Sequence, residues 1–176
     1  MSREHGRDIP SQPGYLAAVT LPSSIAFSSS DATGDYITCD TAHGLTTGDL
    51  IEVAIDGGTT GGVTANTFYY AVEVTGQTAR VQLATTYDNA IAGTVVNITA
   101  DIGAGDVYPV AKVYRATLYV GTAGNVYVIP GSLDKNSVSG DADIGLLNVA
   151  NGTVLPYVVH AVATRQTTAS NIVAAY

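Results

Sequence analysis

The sequence has no tryptophan, one methionine and one cysteine in 176 residues. Cys39 alone cannot close an intramolecular disulfide, which excludes the small secreted folds stapled by disulfide frameworks. Charge is also scarce, at 12% of the chain, about half the share of roughly 25% usual in a soluble globular protein. A surface so poor in charge suits a subunit packed among neighbours. The charge present is mostly negative, with 15 acidic against 7 basic residues and a formal net charge of −8. The average field therefore repels phosphate backbones, and no nucleic-acid partner is expected. No run approaches the roughly 18 apolar residues a membrane helix needs, and the start Met-Ser-Arg-Glu-His lacks an apolar signal core. The expectation is a protein made and used without crossing a membrane.

Helical periodicity is missing too. No long stretch places apolar residues at i, i+3, i+4 and i+7, whereas Ile51, Val53 and Ile55 alternate with Glu52, Ala54 and Asp56. Val81 and Leu83 alternate with Arg80 and Gln82 in the same way, the period-2 pattern of half-buried strands. Thr, Val, Tyr and Gly dominate, and turn clusters recur at about strand length. The fold class predicted is all-β, as two small sandwich- or barrel-like modules behind an extended N-terminal arm.

The arm is read as residues 1–34, with Pro10, Pro13, Pro22 and serine-rich stretches. It buries little alone and is expected to order on a partner, or in part to complete the C-terminal module. Residues 35–105 form the first module, bounded by Gly34-Asp35 and Gly103-Ala-Gly105, with five or six strands. Residues 107–176 form the second, with strands expected near 111–120, 125–129, 154–163 and 170–176.

Reactive constellations are hard to find. His43 stands at a Cys-x3-His spacing from Cys39, but no second cysteine completes a zinc motif, and a turn histidine held by local hydrogen bonds is the reading preferred. His160, between Val159 and Ala161, reads as a core or interface residue. Asp141-Ala-Asp143 begins a calcium-loop pattern that fails at Gly145 and Gly152. Gly103-Ala-Gly105 and Gly121-Thr-Ala-Gly124 lack the third glycine of a dinucleotide fingerprint and any following helix. No Gly-x-Ser-x-Gly elbow or obvious carboxylate pair exists, so neither an enzyme nor a cofactor or metal is expected. Tyrosine, present 11 times, joins an apolar face to a hydroxyl and suits contact surfaces. Tyr119, Tyr127, Tyr157 and Tyr176 are candidates for partner contacts, as are Arg3, Arg7, Pro10, Pro13 and Tyr15 of the arm. A competing reading makes Tyr69, Tyr70 and Tyr87 a platform for a carbohydrate or receptor.

Two stretches carry resemblances. Thr41-Ala-His-Gly-Leu-Thr-Thr-Gly-Asp-Leu-Ile-Glu-Val53, followed by Thr67–Val74, Ala79–Leu83 and Ala92–Val96, resembles the His-Gly-Leu-x-x-Gly-Asp module that recurs in phage tail, fibre and head proteins. The hairpin Leu118-Tyr-Val-Gly-Thr-Ala-Gly-Asn-Val126, the step Gly152-Thr-Val-Leu-Pro156 and the close Thr167-Thr-Ala-Ser-Asn-Ile-Val-Ala174 resemble the head spike base family of tailed phages and gene transfer agents. The family's upstream segment has its counterpart in Ala18-Val-Thr-Leu-Pro-Ser-Ser24, which makes residues 35–105 an insertion. The chain departs from the pattern at Arg165-Gln166, where a glycine is usual, and in the long loop from Pro130 to Leu146. The resemblance implies a virion structural protein on the outer capsid surface, assembled in the host cytoplasm. Its implied partners are the major capsid protein, further copies of itself in a symmetric oligomer such as a trimer, and a spike or fibre protein. A tail or neck component is the variant within the same class.

Overall fold

The computed structural model describes residues 16–56, 61–130 and 144–176. The chain is nearly all β, in two modules. Six antiparallel strands close the first: β2 (Ile25–Asp31), β3 (Tyr36–Cys39), β4 (Leu50–Ile55), β5 (Thr67–Glu73), β6 (Arg80–Ala84) and β7 (Gly105–Pro109), numbered after β1 (Leu16–Ala18) of the other module. Their order is β2-β3-β6-β5-β4-β7, and β7 returns to β2 with Ile25 opposite Val107, so no strand of the barrel has a free edge. Phe27, Ile37, Ile51, Val53, Tyr69, Val81, Leu83 and Val107 fill the interior, the inward halves of alternating strands.

Between β6 and β7 lies one short helix, α1 (Tyr87–Ala92), the departure from strands that the periodicity does not reveal. Six residues are too few to show a 3.6-residue repeat, so its marks are the caps. The Thr86 hydroxyl accepts the Asn89 N–H, and Gly93 closes the C-terminus. Ala92–Val96, the last stretch of the resembled module, holds the end of this helix and a loop, in which the Val96 N–H donates to the Leu83 carbonyl.

The second module contains β1, β8 (Ala111–Thr122), β9 (Gly124–Pro130), β10 (Ile144–Val149), β11 (Thr153–Val154), β12 (Val159–Ala163) and β13 (Ser170–Ala175). The long β8 serves two sheet halves. Its first half pairs with β12, while its second half pairs with β13 and β11. The change occurs at an irregularity in the β8–β12 ladder, where Arg115 takes φ 67°; strands commonly turn a sheet corner through such bulges. Both halves pack around Val113, Leu118, Val120, Val126, Val128, Val159, Val162 and Ile172.

The expected boundaries shift. Gly34-Asp35 falls inside a hairpin in which Asp31 of β2 pairs with Tyr36 of β3, so Ile25–Asp31 is barrel wall and not arm. Serines disguised it. The Ser30 N–H and hydroxyl both bond Asp101, whereas Phe27 of the same strand enters the core. Gly105, taken as the module's limit, instead begins the strand that closes the barrel. Residues 16–18 form the edge strand β1 on β13, with Leu16 opposite Ala175 and Ala18 opposite Val173. The barrel is thus inserted between β1 and β8. The stretch 154–163 is two strands rather than one, parted around Pro156, and β10 occupies the end of the expected 130–146 loop.

Candidate interaction surface

Each half of the second module has an inner face on the shared core and an outer face. Along β9, Val126 and Val128 point inward, while Tyr127 and Ile129 point outward. Ala161 and Ala163 of β12 lie beside them. This outer face is covered by the barrel, whose Leu50, Phe68, Tyr70 and Val72 form one apolar cluster with it. Among the described residues, two ion pairs link the modules. Arg165 Nη1 lies 2.7 Å from Glu52 Oε1, and Lys112 Nζ lies 2.6 Å from Asp49 Oδ1. Burial pushes the Asp49 carboxyl up, but hydrogen bonds from Lys112 and Thr46 outweigh it and hold the group below the usual carboxylate range.

The other half presents the same kind of face, and among the described residues nothing covers it. Leu118, Val120, Ile172 and Ala174 point into the core, so their neighbours along β8 and β13 must point out. Register then builds a transverse row across four strands: Ala18, Val173, Tyr119 and Val154, with Leu16, Ala175 and Thr117 forming the next. Leu16 is 64% exposed, Val154 60% and Tyr119 42%. Together they line a depression of about 420 Å³. No residue in either row is charged.

The aromatic candidates separate accordingly. Tyr119 stands in the middle of the bare face, and Tyr157 and Tyr176 are exposed. Tyr127 belongs to the module seam, half-buried, with its ring against Gly145. Its backbone N–H is taken by the Thr167 hydroxyl, so it is removed from the contact candidates. Arg3, Arg7, Pro10, Pro13 and Tyr15 lie outside the described residues, as does the Asp141–Asp143 pattern. The proposed platform of Tyr69, Tyr70 and Tyr87 is corrected outright. Tyr69 is a barrel-core residue whose hydroxyl accepts the Thr64 N–H, and Tyr70 is buried in the seam edge-on to Tyr87 at 5.9 Å. A barrel wall with another module behind it buries both sides of the strand, so Phe68, Tyr69 and Tyr70 all disappear from the surface.

The polar residues are occupied with holding turns. His43 Nδ1 accepts the Leu45 N–H at 3.0 Å, which leaves Nε2–H to donate to the Arg80 carbonyl at 3.0 Å. Gly44 and Gly48 of the same turn take φ 63° and 92°, a region that a Cβ disfavours. The Asp49 carboxylate accepts the Thr46 N–H and hydroxyl. Beside this turn lies a depression of about 600 Å³, between Thr46-Thr47 and Glu73–Thr78. There the Thr47 N–H donates to Glu73 and the Glu73 N–H to the Thr47 hydroxyl, so the groups are spent on each other. Cys39 is buried, and burial with the nearby Asp40 charge pushes its thiol up to about 11, far from a reactive thiolate. Among the described residues no three of His, Cys, Asp and Glu cluster as metal ligands.

The bare face is the feature that residue-by-residue reading misses. Its signal is present as the alternation Thr117, Tyr119 against Leu118, Val120, but which of the two sides faces a core depends on the fold. Compared with known proteins, the chain matches no family model, no curated protein and no solved structure.

Proposed function

We propose that this chain is a virion structural protein of a tailed phage or phage-like particle, attached to the outside of the assembled capsid as a decoration or cement subunit or as a head spike base. It acts by binding, without catalysis. The observation that carries the reading is the uncharged outer face of β1, β13, β8 and β11, centred on Tyr119, which offers apolar area, one aromatic anchor and no like-charge penalty to a partner. Partners in this reading are the major capsid protein and neighbouring copies of the chain. Repetition on a symmetric lattice gives individually weak contacts a high effective concentration.

The module arrangement supports the same reading. Arg165 stands where the resembled pattern has glycine, and in this chain it reaches Glu52 of the inserted barrel. The departure is thus the residue an insertion would need in order to be held. A tail or neck position remains the variant within the class, and the lattice site would distinguish them. The carbohydrate reading loses its aromatic platform to burial.

The test is co-sedimentation with purified empty heads. Wild-type protein is expected in the pellet, and Tyr119→Asp with Val154→Asp is expected to reduce it at least tenfold while circular dichroism stays unchanged. Wild-type protein that stays in the supernatant sinks the capsid assignment. Mutant protein that pellets like wild type removes the face from it.

A further inference from the structure

The Tyr119 face is bordered by the single Asn-Gly pair of the chain, Asn151-Gly152, in the exposed turn that leads into β11. A glycine after asparagine hinders attack by its own backbone nitrogen least, because it carries no Cβ. We propose that this turn is a gated deamidation site: Asn151 reacts only when β11 lifts off β8, and the product keeps β11 from settling back in register.

The reaction needs only water and base. The Gly152 backbone nitrogen, its proton passed to hydroxide, attacks Asn151 Cγ. A C–N bond forms, the Cγ–Nδ2 bond breaks, and Nδ2 leaves as ammonia with a proton drawn from water. Water then opens the five-membered succinimide at either carbonyl, giving aspartate or, where the chain is rerouted through Cβ, isoaspartate. Nothing is oxidised or reduced, and each product carries one more negative charge than asparagine.

The fold holds both reacting groups. The Gly152 N–H donates to the Val120 carbonyl at 2.8 Å, so the nitrogen keeps its proton and faces β8. The Asn151 side-chain oxygen accepts the Ala123 N–H from the turn between β8 and β9. That second bond acts in both directions: it draws electrons from Cγ, and it ties the carboxamide to a neighbouring turn. The first bond decides, because a nitrogen that is still protonated does not attack. Its release is a local event. Among the described residues β11 is two residues long and pairs with β8 alone, Thr153 opposite Val120 and Val154 opposite Tyr119. Such a margin lies at the low end of the range of opening free energies within a fold. The Thr153 hydroxyl, which donates to the Ala150 carbonyl at 2.8 Å, is the latch inside the turn.

Isoaspartate inserts one backbone carbon between Ala150, which accepts both the Thr153 N–H and its hydroxyl, and Gly152, which bonds Val120. The turn bonds and the ladder bonds cannot then all be kept. The site also abuts the aromatic anchor, since a Cβ on Gly152 would lie 3.8 Å from Tyr119 Oη. The row Val173, Tyr119, Val154 thus loses its last member, and a charge-free face gains a charge at its border. Where that face docks as proposed above, the consequence is a slow loss of docking; the chemistry of the turn does not depend on that reading.

The test incubates the full chain at mildly alkaline pH, folded and in urea, and follows position 151 by peptide mapping together with methylation by an isoaspartyl methyltransferase. The folded chain is expected to react there at least tenfold more slowly than the chain in urea, by a factor that matches the hydrogen-exchange protection of the Gly152 N–H. Thr153→Val is expected to raise the folded rate at least threefold and leave the rate in urea unchanged. Equal rates with and without urea overturn the gate, as does a slowing that departs from the Gly152 protection by more than tenfold. A folded chain with no product at position 151 after about a hundred urea half-lives overturns the site. The isoaspartyl form, separated by ion exchange, is expected to lose amide protection at Gly152 and Leu155; retained protection overturns the claim that β11 fails to close. None of these readouts uses capsids, so failure of the capsid assignment is separately visible.

Discussion

The second module has two outer faces of nearly the same composition and opposite fates. One, carrying Tyr127, Ile129, Ala161 and Ala163, is sealed under the barrel; the other, carrying Leu16, Val173, Tyr119 and Val154, is bare among the described residues. Both combine small or branched aliphatic residues with one tyrosine. The sealed face has ion pairs associated with its seam, Arg165–Glu52 and Lys112–Asp49, while the rows of the bare face contain no charge. The difference teaches that one apolar outer side of this sheet is closed by a module of the same chain, while the other is the side that the proposed function assigns to a partner. Where the partner is covalently attached, the interface includes charges to position it; where no attached partner is described, the face is left apolar.

The largest expected effect breaks the sealed side. Phe68 is buried in the seam cluster, and Phe68→Ala should cost about 3–5 kcal/mol through lost burial and the cavity left behind. Denaturant unfolding measures it. A loss below about 1 kcal/mol would mean that the barrel and the sheet do not rely on their contact. Next comes Glu52, 4% exposed. Glu52→Ala leaves the Arg165 guanidinium half-buried without its partner, and breaking a buried pair on one side costs about 3 kcal/mol. Replacing both, as Glu52→Leu with Arg165→Met, should return stability to within about 1 kcal/mol of wild type, because the desolvation of two charges disappears with their attraction. A double variant as unstable as the single one would show that the pair contributes more than mutual neutralisation.

How far these features are legible in the sequence follows from the range of the interactions that make them. Alternation at Val81–Leu83 and Ile51–Ile55 marks strands because a strand's periodicity is local. The His43 turn is legible in part for the same reason, since Leu45 and Asp49 lie within six residues, whereas the Arg80 carbonyl that takes the other ring nitrogen lies 37 residues away. Glu52 reads as the exposed partner of Ile51 and Val53, yet it is buried, because its partner Arg165 lies 113 residues away. Ile25–Asp31 reads as arm because its serines find Asp101 only when the barrel closes. The bare face needs one more level: strand alternation identifies two sides, but only the insertion of the barrel next to β9 and β12 decides which half of the sheet is left uncovered.

On the bare side, stability and binding should come apart. Tyr119→Ser removes a ring that is already 42% exposed and should shift unfolding by no more than about 0.5 kcal/mol, the range of ordinary surface substitutions. Capsid co-sedimentation should nevertheless fall severalfold, since truncation of a central aromatic at an interface typically costs about 2 kcal/mol of binding. The mirror experiment, Ile129→Ala on the sealed side, should do the reverse, with a stability loss of about 2–5 kcal/mol. If both positions lower stability equally, the bare face is packed in solution against something that stabilises the fold.

Acid titration gives the smallest effect and sharpens the comparison by assigning different pH windows to different regions. His160, in β12, is held below its ordinary value of 6.5, first by burial and then by repulsion from Lys112. Below pH 6.5 the unfolded chain takes up a proton that the folded chain resists, so stability starts to fall there and stops falling once the folded histidine is protonated too. The shifted carboxylates lie in the barrel and at the seam. Backbone N–H bonds from Gly34 and Thr33 hold Asp31 below the usual range, those from Ser30 and Gly103 hold Asp101 there, and Lys112 with Thr46 overcomes burial at Asp49. Their stabilisation is intact above the unfolded value of 3.8 and is lost as pH falls below it, through each lowered folded value. Stability measured from pH 8 downward should therefore decline in two stages, one beginning near 6.5 and one below 3.8. His160→Gln should abolish the first and leave the second; retention of the first stage would show that another group titrates in that window and that His160 is not poised against Lys112.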